Sequence, residues 1–103
     1  MSNVTDINES NFKDSINSSP TVVVEFGASW CGPCKMMGPI LDKLSVERTD
    51  VGVFKVDVDE CGEMAQKMGI RSIPVVAVYK NGEEVSKTVG MVPYDKLIKL
   101  IDS

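Results

Sequence analysis

Apolar positions along the chain fall into two kinds of run. Thr21–Phe26 (TVVVEF), following the turn residues Ser18-Ser19-Pro20, is β-branched and almost continuously apolar. That pattern predicts a central strand covered on both faces. Val51–Val58 (VGVFKVDV) predicts a second buried strand. Val75–Lys80 and Glu83–Val89 flank Asn81-Gly82, the composition of a two-residue hairpin. Elsewhere the spacing is helical. Met37, Ile40, Leu41 and Leu44 recur at i, i+3, i+4, i+7 on one helix face, with Pro39 inside the stretch and expected to bend it. Cys61, Met64, Ala65 and Met68 repeat the spacing, and Gly69 suits a helix stop. Tyr94, Leu97, Ile98 and Ile101 mark a last amphipathic helix with Pro93 suited to its first turn, and a shorter helix is read at Asn8–Ile16. Strand, helix, strand, then hairpin and helix predict an α/β three-layer sandwich. Its sheet is mixed, parallel first and antiparallel in the hairpin.

Composition narrows the setting. The 103 residues show no repeat, low-complexity stretch or linker, so a single domain over residues 1–103 is expected. A chain of this size buries roughly two-thirds of its surface, enough for a core without disulfide staples. The net charge of −4 comes with no basic cluster, which argues against nucleic acid or an anionic membrane as partner. No apolar run approaches the ~20 residues of a membrane span. The N-terminal MSNVTDINES lacks a basic segment followed by an apolar one, so a cytoplasmic location is expected. Three cysteines and no histidine point to thiols in a reducing compartment rather than a secreted disulfide framework.

Two of those cysteines, Cys31 and Cys34, enclose Gly32 and Pro33 where the first buried strand gives way to the longest helix. Central strand ends are where α/β sheets expose ligand sites. A helix N-terminus stabilises a thiolate over a thiol. Cys34, three residues on, shares the helix face of Cys31 at a separation compatible with a disulfide. Pro33 has no amide to leave unpaired and stiffens the turn, while Gly32 admits another backbone. The residues suit reversible dithiol–disulfide exchange. A zinc site is the weaker alternative, since about four ligands are needed and only one further cysteine and no histidine exist. An inert buried pair conflicts with the electropositive helix start.

The segment WCGPCK at Trp30–Lys35 resembles the active-site motif of the thioredoxin family. VVVEF, KVDVDE, GIRSIPVV, KNG and VGM extend the resemblance, in order, over nearly the whole chain. It implies the thioredoxin fold, a five-stranded mixed sheet flanked by four helices, and a protein-disulfide reductase. Cys31 would be the exposed nucleophile that forms a mixed disulfide, and Cys34 the buried resolving thiol. No cofactor would be bound. NADPH and FAD would act through a partner, thioredoxin reductase, and targets would be disulfide-containing proteins such as peroxiredoxins, met by a monomer. A binding module using the same surface and a glutaredoxin or isomerase-like redox domain are the alternatives. The intact cysteine pair disfavours the first and its Gly-Pro interior the second.

Further residues follow from the same resemblance. Ile73-Pro74 would hold a cis-proline facing the cysteines, its neighbouring backbone pairing with an extended target peptide. Trp30, Gly32, Pro33, Gly90 and Met91 would form a flat apolar rim. Glu25 stands where the family usually has aspartate, acting through water as proton acceptor for the buried cysteine, and Lys55 matches the basic neighbour of that acid. Gly27 replaces a large aromatic of some relatives and should leave the flank less packed. From burial habits alone, Cys61 is expected to be a buried inert thiol, and Met36, Met37, Met64 and Met68 to be core filler. Asp57, Asp59 and Glu60 read as a solvated loop, with Asp59 suited to cap the following helix.

Overall fold

The computed structural model describes residues 2–103. In chain order its elements are β1 (Thr5–Ile7), α1 (Glu9–Ile16), β2 (Thr21–Gly27), α2 (Gly32–Glu47), β3 (Val51–Asp57), α3 (Gly62–Lys67), β4 (Val75–Lys80), β5 (Glu83–Val89) and α4 (Tyr94–Asp102). The strands lie side by side as β1-β3-β2-β4-β5. β1, β3 and β2 run parallel, and β4 and β5 antiparallel to their neighbours. The mixed sheet, its helices and the three-layer class follow the hydrophobic pattern.

β2 is central and buried on both faces, and its two-residue side-chain period divides it between two cores. Val22, Val24 and Phe26 pack with Cys61, Met64 and the α1 residues Phe12 and Ile16. Val23 faces the other way, onto Met37, Leu41 and Leu44 of α2 and Leu97 and Ile101 of α4. α1 and α3 therefore cover one face, and α2 and α4 the other.

Local chemistry sets the ends of these elements. Asn8 caps α1 by accepting from the Ser10 amide, while Asn11 reaches back to the Asn8 amide. Gly69, at φ +74°, ends α3 as its sequence suggests. Asn81 and Gly82 have φ of 54° and 82°, the left-handed pair that a tight hairpin of this hand requires. α2 runs on through Pro39. Among the described residues, no helix is long and apolar enough to cross a membrane.

Two expectations need correction. β1 has no counterpart in the hydrophobic pattern, because only Ile7 of its three residues is buried. Met36 is not core filler; it is 59% exposed, because it precedes the buried Met37 by one step of about 100° around α2.

Met37 also accepts a hydrogen bond, from the buried Val92 amide to its thioether sulfur at 3.4 Å. This ties α2 to the loop that leads into α4. Met37→Leu keeps the volume but leaves that amide without an acceptor, so stability should fall by about 1–2 kcal/mol. An unchanged urea midpoint would show that the sulfur contributes nothing beyond packing.

Candidate active site

β2 passes through Ala28 into a turn closed by the Cys31 amide, which donates to the Ala28 carbonyl at 3.2 Å. Cys31 is the N-cap of α2, with extended backbone (φ −89°, ψ 114°), and its sulfur accepts from the Cys34 amide at 3.2 Å. A sulfur thus occupies the place that a serine or aspartate oxygen takes at other helix starts, among amides with no intrahelical partner. Pro33 sits in the first turn. Cys31 and Cys34 are joined as a disulfide, their Cα atoms 5.2 Å apart. Space beside Gly32 is open, with no heavy atom within 4 Å of where its Cβ would stand.

The exposure expected of Cys31 is not found. It is 5% exposed against 6% for Cys34. Ala28, Val58 and Ile73 enclose the pair, so the two sulfurs differ in what they face rather than in accessibility. Cys31 faces the Ile73 carbonyl, 3.9 Å from its sulfur. The Ile73-Pro74 peptide bond is cis. The Pro74 carbonyl is not free for a target peptide, because it accepts from the Gly90 amide at 2.8 Å. That bond draws Gly90 and the 42%-exposed Met91 towards the site.

Trp30 is 68% exposed, yet its indole Nε1–H donates to Asp59 at 2.8 Å. Asp59 therefore orients the rim tryptophan and does not cap α3, which has no side-chain cap and begins at buried Cys61. Sequence spacing gave no signal for this pairing across 29 residues.

Cys34 faces Glu25. In β2, Glu25 and Gly27 share the face of Val23, so both lie beneath α2. Glu25 is 3% exposed, and its Oε2 has no hydrogen-bond partner. Lys55 is its register neighbour on β3, and Asp6 on β1 is the neighbour of Lys55 on the other side. The missed strand β1 thus adds an acid that the sequence could not place. Burial pushes the Glu25 carboxyl up to about 7, with the Lys55 charge pulling the other way. A cavity of about 360 Å³ opens beside these groups, lined by Glu25, Gly27, Cys34, Lys35 and Lys55 among others. The looser flank expected at Gly27 is not found at the glycine itself, where a Cβ would stand 2.7 Å from Glu25 Oε2 and 3.1 Å from the Cys34 sulfur.

Of the residues singled out in the sequence, Cys31, Cys34, Gly32, Pro33, Trp30, Ile73, Pro74, Gly90 and Met91 gather around one end of the sheet, with Glu25 and Lys55 below. Cys61 stands apart as a buried free thiol in the opposite core. Among the described residues, no group of three or more His, Cys, Asp or Glu is placed to hold a metal ion.

A family model described as Thioredoxin matches residues 3–103. Thioredoxin from Chlamydia muridarum is 43% identical over 95 residues, 92% of either chain. Thioredoxin-1 from Saccharomyces cerevisiae is 44% identical over 84 residues, 82% of either chain. Among solved structures, a mutant thioredoxin from Halobacterium salinarum NRC-1 superposes with a TM-score of 0.89 at 34% identity, covering 96% of this chain and 88% of that one. A chain from a structure on thiol resolution in yeast mitochondrial 1-Cys peroxiredoxin via glutathione/thioredoxin systems gives 0.87 at 33% identity, covering 99% and 98%.

The raised Glu25 carboxyl has a consequence for stability. Between pH 4.5, its ordinary value, and about 7, the folded state holds a proton that the unfolded state has released. Stability therefore falls as pH rises through that window and levels off above it. Glu25→Gln removes this dependence. Lys55 is half-buried and next to Asp6, so it is not stranded by the change. Relative to the variant, the parent should lose about 2–3 kcal/mol between pH 4.5 and 8, read from urea midpoints. Parallel pH profiles would mean that Glu25 titrates normally.

Proposed function

The chain belongs to the thioredoxin family, and on that premise we propose that Cys31 and Cys34 divide its chemistry into attack and resolution. The protein is a thiol–disulfide redox carrier with protein-disulfide reductase activity. Reduced Cys31 attacks one sulfur of a target disulfide. A Cys31–target disulfide forms, the target S–S bond breaks, and its other sulfur leaves as thiolate. Cys34 then loses its proton and attacks the Cys31 sulfur, forming the Cys31–Cys34 disulfide and releasing the second target thiolate. Two electrons pass to the target.

The carrying observation is the place of Cys31 as N-cap of α2, its sulfur accepting the Cys34 amide. That donor and the positive helix end stabilise a thiolate on Cys31, whereas Cys34, inside the turn, lacks this position. Glu25 serves as proton acceptor for Cys34. Its Oε2 and the Cys34 sulfur lie 2.7 and 3.1 Å from the point a Cβ on Gly27 would occupy, hence no more than about 6 Å apart, a span that suits one bridging water. A carboxyl poised near neutrality suits that task. Lys55 tunes it. Trp30, Gly32, Pro33, Gly90 and Met91 form the rim a target meets, and backbone at Ile73 beside Pro74 pairs with its extended chain.

A thioredoxin reductase carrying FAD and using NADPH returns the disulfide to the dithiol, and peroxiredoxins are among the targets. The similar structure solved for thiol resolution in yeast mitochondrial 1-Cys peroxiredoxin via glutathione/thioredoxin systems supports the second point. Low cysteine content supports action in the cytoplasm, and the protein is read as a monomer of one domain.

With NADPH and a thioredoxin reductase, the protein should reduce a disulfide-bonded protein substrate. Cys31→Ser should abolish this. Cys34→Ser should instead accumulate covalent target adducts on Cys31, visible on non-reducing gels. Equal trapping by both variants would refute the division of labour. In single-turnover kinetics near pH 7, Glu25→Gln should slow resolution roughly 10- to 100-fold and leave attack nearly unchanged. Resolution at the parental rate would remove Glu25 from the mechanism.

A further inference from the structure

Gly27 is buried at the end of β2, two residues beyond Glu25 on the same face, directly beneath the first turn of α2. A Cβ built on it would lie 2.7 Å from Glu25 Oε2, 3.1 Å from the Cys34 sulfur and 3.2 Å from the Cys34 Cβ. The first distance is shorter than a carbon and an oxygen tolerate, and the other two are tight. Gly27 has no unusual φ to explain it, unlike Gly69, Gly82 and Gly90. Its lack of a side chain is therefore a matter of space, and the space is taken by a carboxylate and a sulfur that take part in the same step.

We propose that Gly27 is a positioning residue for resolution, coupled to Glu25: its bare α-carbon reserves the volume in which the long glutamate side chain sets its carboxylate beside Cys34. This rests on the reading of Glu25 as proton acceptor and adds a residue to it. A carboxylate in the core beneath α2 has few places to stand. One methylene shorter, an aspartate would stop short of the Gly27 Cβ site. A glutamate reaches it and needs residue 27 to be glycine.

The chemical step is the second one above. The Cys34 thiol passes its proton to Glu25, through one water, and the resulting thiolate attacks Cys31. The Cys31–target bond breaks, Cys31–Cys34 forms, and the departing target thiolate takes a proton from solvent. A methyl at residue 27 makes Cys34, at 3.1 and 3.2 Å, yield by a few tenths of an ångström, and at 2.7 Å it drives the flexible end of Glu25 out of the gap. The cavity at its side receives it, nearer Lys55. The charged and titratable groups around that cavity are Asp6 of β1, Lys55 and Asp57 of β3, and Lys35 and Cys34 of α2. β4 contributes Val76, which does not titrate.

The test is a two-by-two set: parent, Gly27→Ala, Glu25→Asp and the double variant, each followed by rapid mixing with a disulfide-bonded protein so that attack and resolution are separate phases. Gly27→Ala should slow resolution about tenfold while attack stays within about twofold. Its resolution rate should also titrate at lower pH, because Lys55 now stabilises the charged carboxylate. In the Glu25→Asp background the same alanine should change resolution less than about twofold. Equal slowing in both backgrounds, or slowing of attack and resolution alike, would overturn the proposal. Should Gly27→Ala alone fail to fold, urea midpoints decide. A double variant as stable as Glu25→Asp supports the reserved space, and an equal failure to fold overturns it. Parental resolution by Glu25→Gln would instead remove the acceptor reading, while the stability comparison still tests the coupling.

Discussion

Burial of β2 on both faces is the constraint on which the site depends. A strand at the middle of a five-stranded sheet, with helices above and below, has no solvent side. Its alternation sends Val22, Val24 and Phe26 to one core and Val23 to the other. Residue 25 then has only the face beneath α2 available. A carboxylate there is desolvated whatever its neighbours do, and here Oε2 finds no hydrogen-bond donor. The same strand delivers the chain, within four residues of its end, to the start of α2. One element thus places an acid raised by burial and a helix N-terminus at the same end of the sheet, the two features on which the proposed division of labour draws.

The legible parts of the molecule were those whose periodicity is enforced by burial. β2 and β4 announce themselves because nearly all their residues are buried, β3 because its valines are, and α2 and α4 because each has one covered stripe. β1 was invisible for the opposite reason. It is three residues at the sheet edge, held by backbone pairing to β3 with a single buried side chain, so no alternation has room to appear. Its loss also hid Asp6, the second acid beside Lys55. Cys31 and Cys34 were legible because a C-x-x-C pair at a strand-to-helix junction is chemically specific. Their near-equal burial was not, since it comes from Val58 and Ile73, which arrive from distant parts of the chain. Asp59 was misread by a local rule. A residue just before a helix suits a cap, but the exposed indole of Trp30 competes for the carboxylate and wins, and the short α3 starts without a side-chain cap.

The rim shows how a reductase can act on many proteins. Trp30 and Met91 expose large apolar surfaces beside a nearly covered disulfide. Each is held from behind by a polar bond rather than by a pocket: Trp30 by Asp59, and the Gly90–Met91 turn by the Pro74 carbonyl. In the proposed function a flat surface fixed in this way offers area without shape, so affinity would come from desolvating apolar contact and from backbone pairing common to every extended peptide. Discrimination among targets then rests on which disulfides can be presented flat against the Cys31 sulfur. The resident disulfide shares its enclosure with Ile73, whose carbonyl faces that sulfur.

Local rules of stability are broken here in a way that tracks the chemistry. Any apolar side chain at residue 25 would suit the core beneath α2 better than a carboxylate does, and alanine at residue 27 would lower the entropy of the unfolded chain. The sequence carries Glu and Gly at those positions instead, and the two deviations occupy one volume. A buried acid alone would be a liability with no outlet, and a buried glycine alone would be a small void. Together they bring a carboxylate beside the Cys34 sulfur, the arrangement on which the proposed proton transfer rests. After the half-buried Thr21, the remainder of β2 is valine and phenylalanine packed at full burial. That packing keeps the strand in register while Glu25 and Gly27, near its end, depart from the apolar pattern of the core.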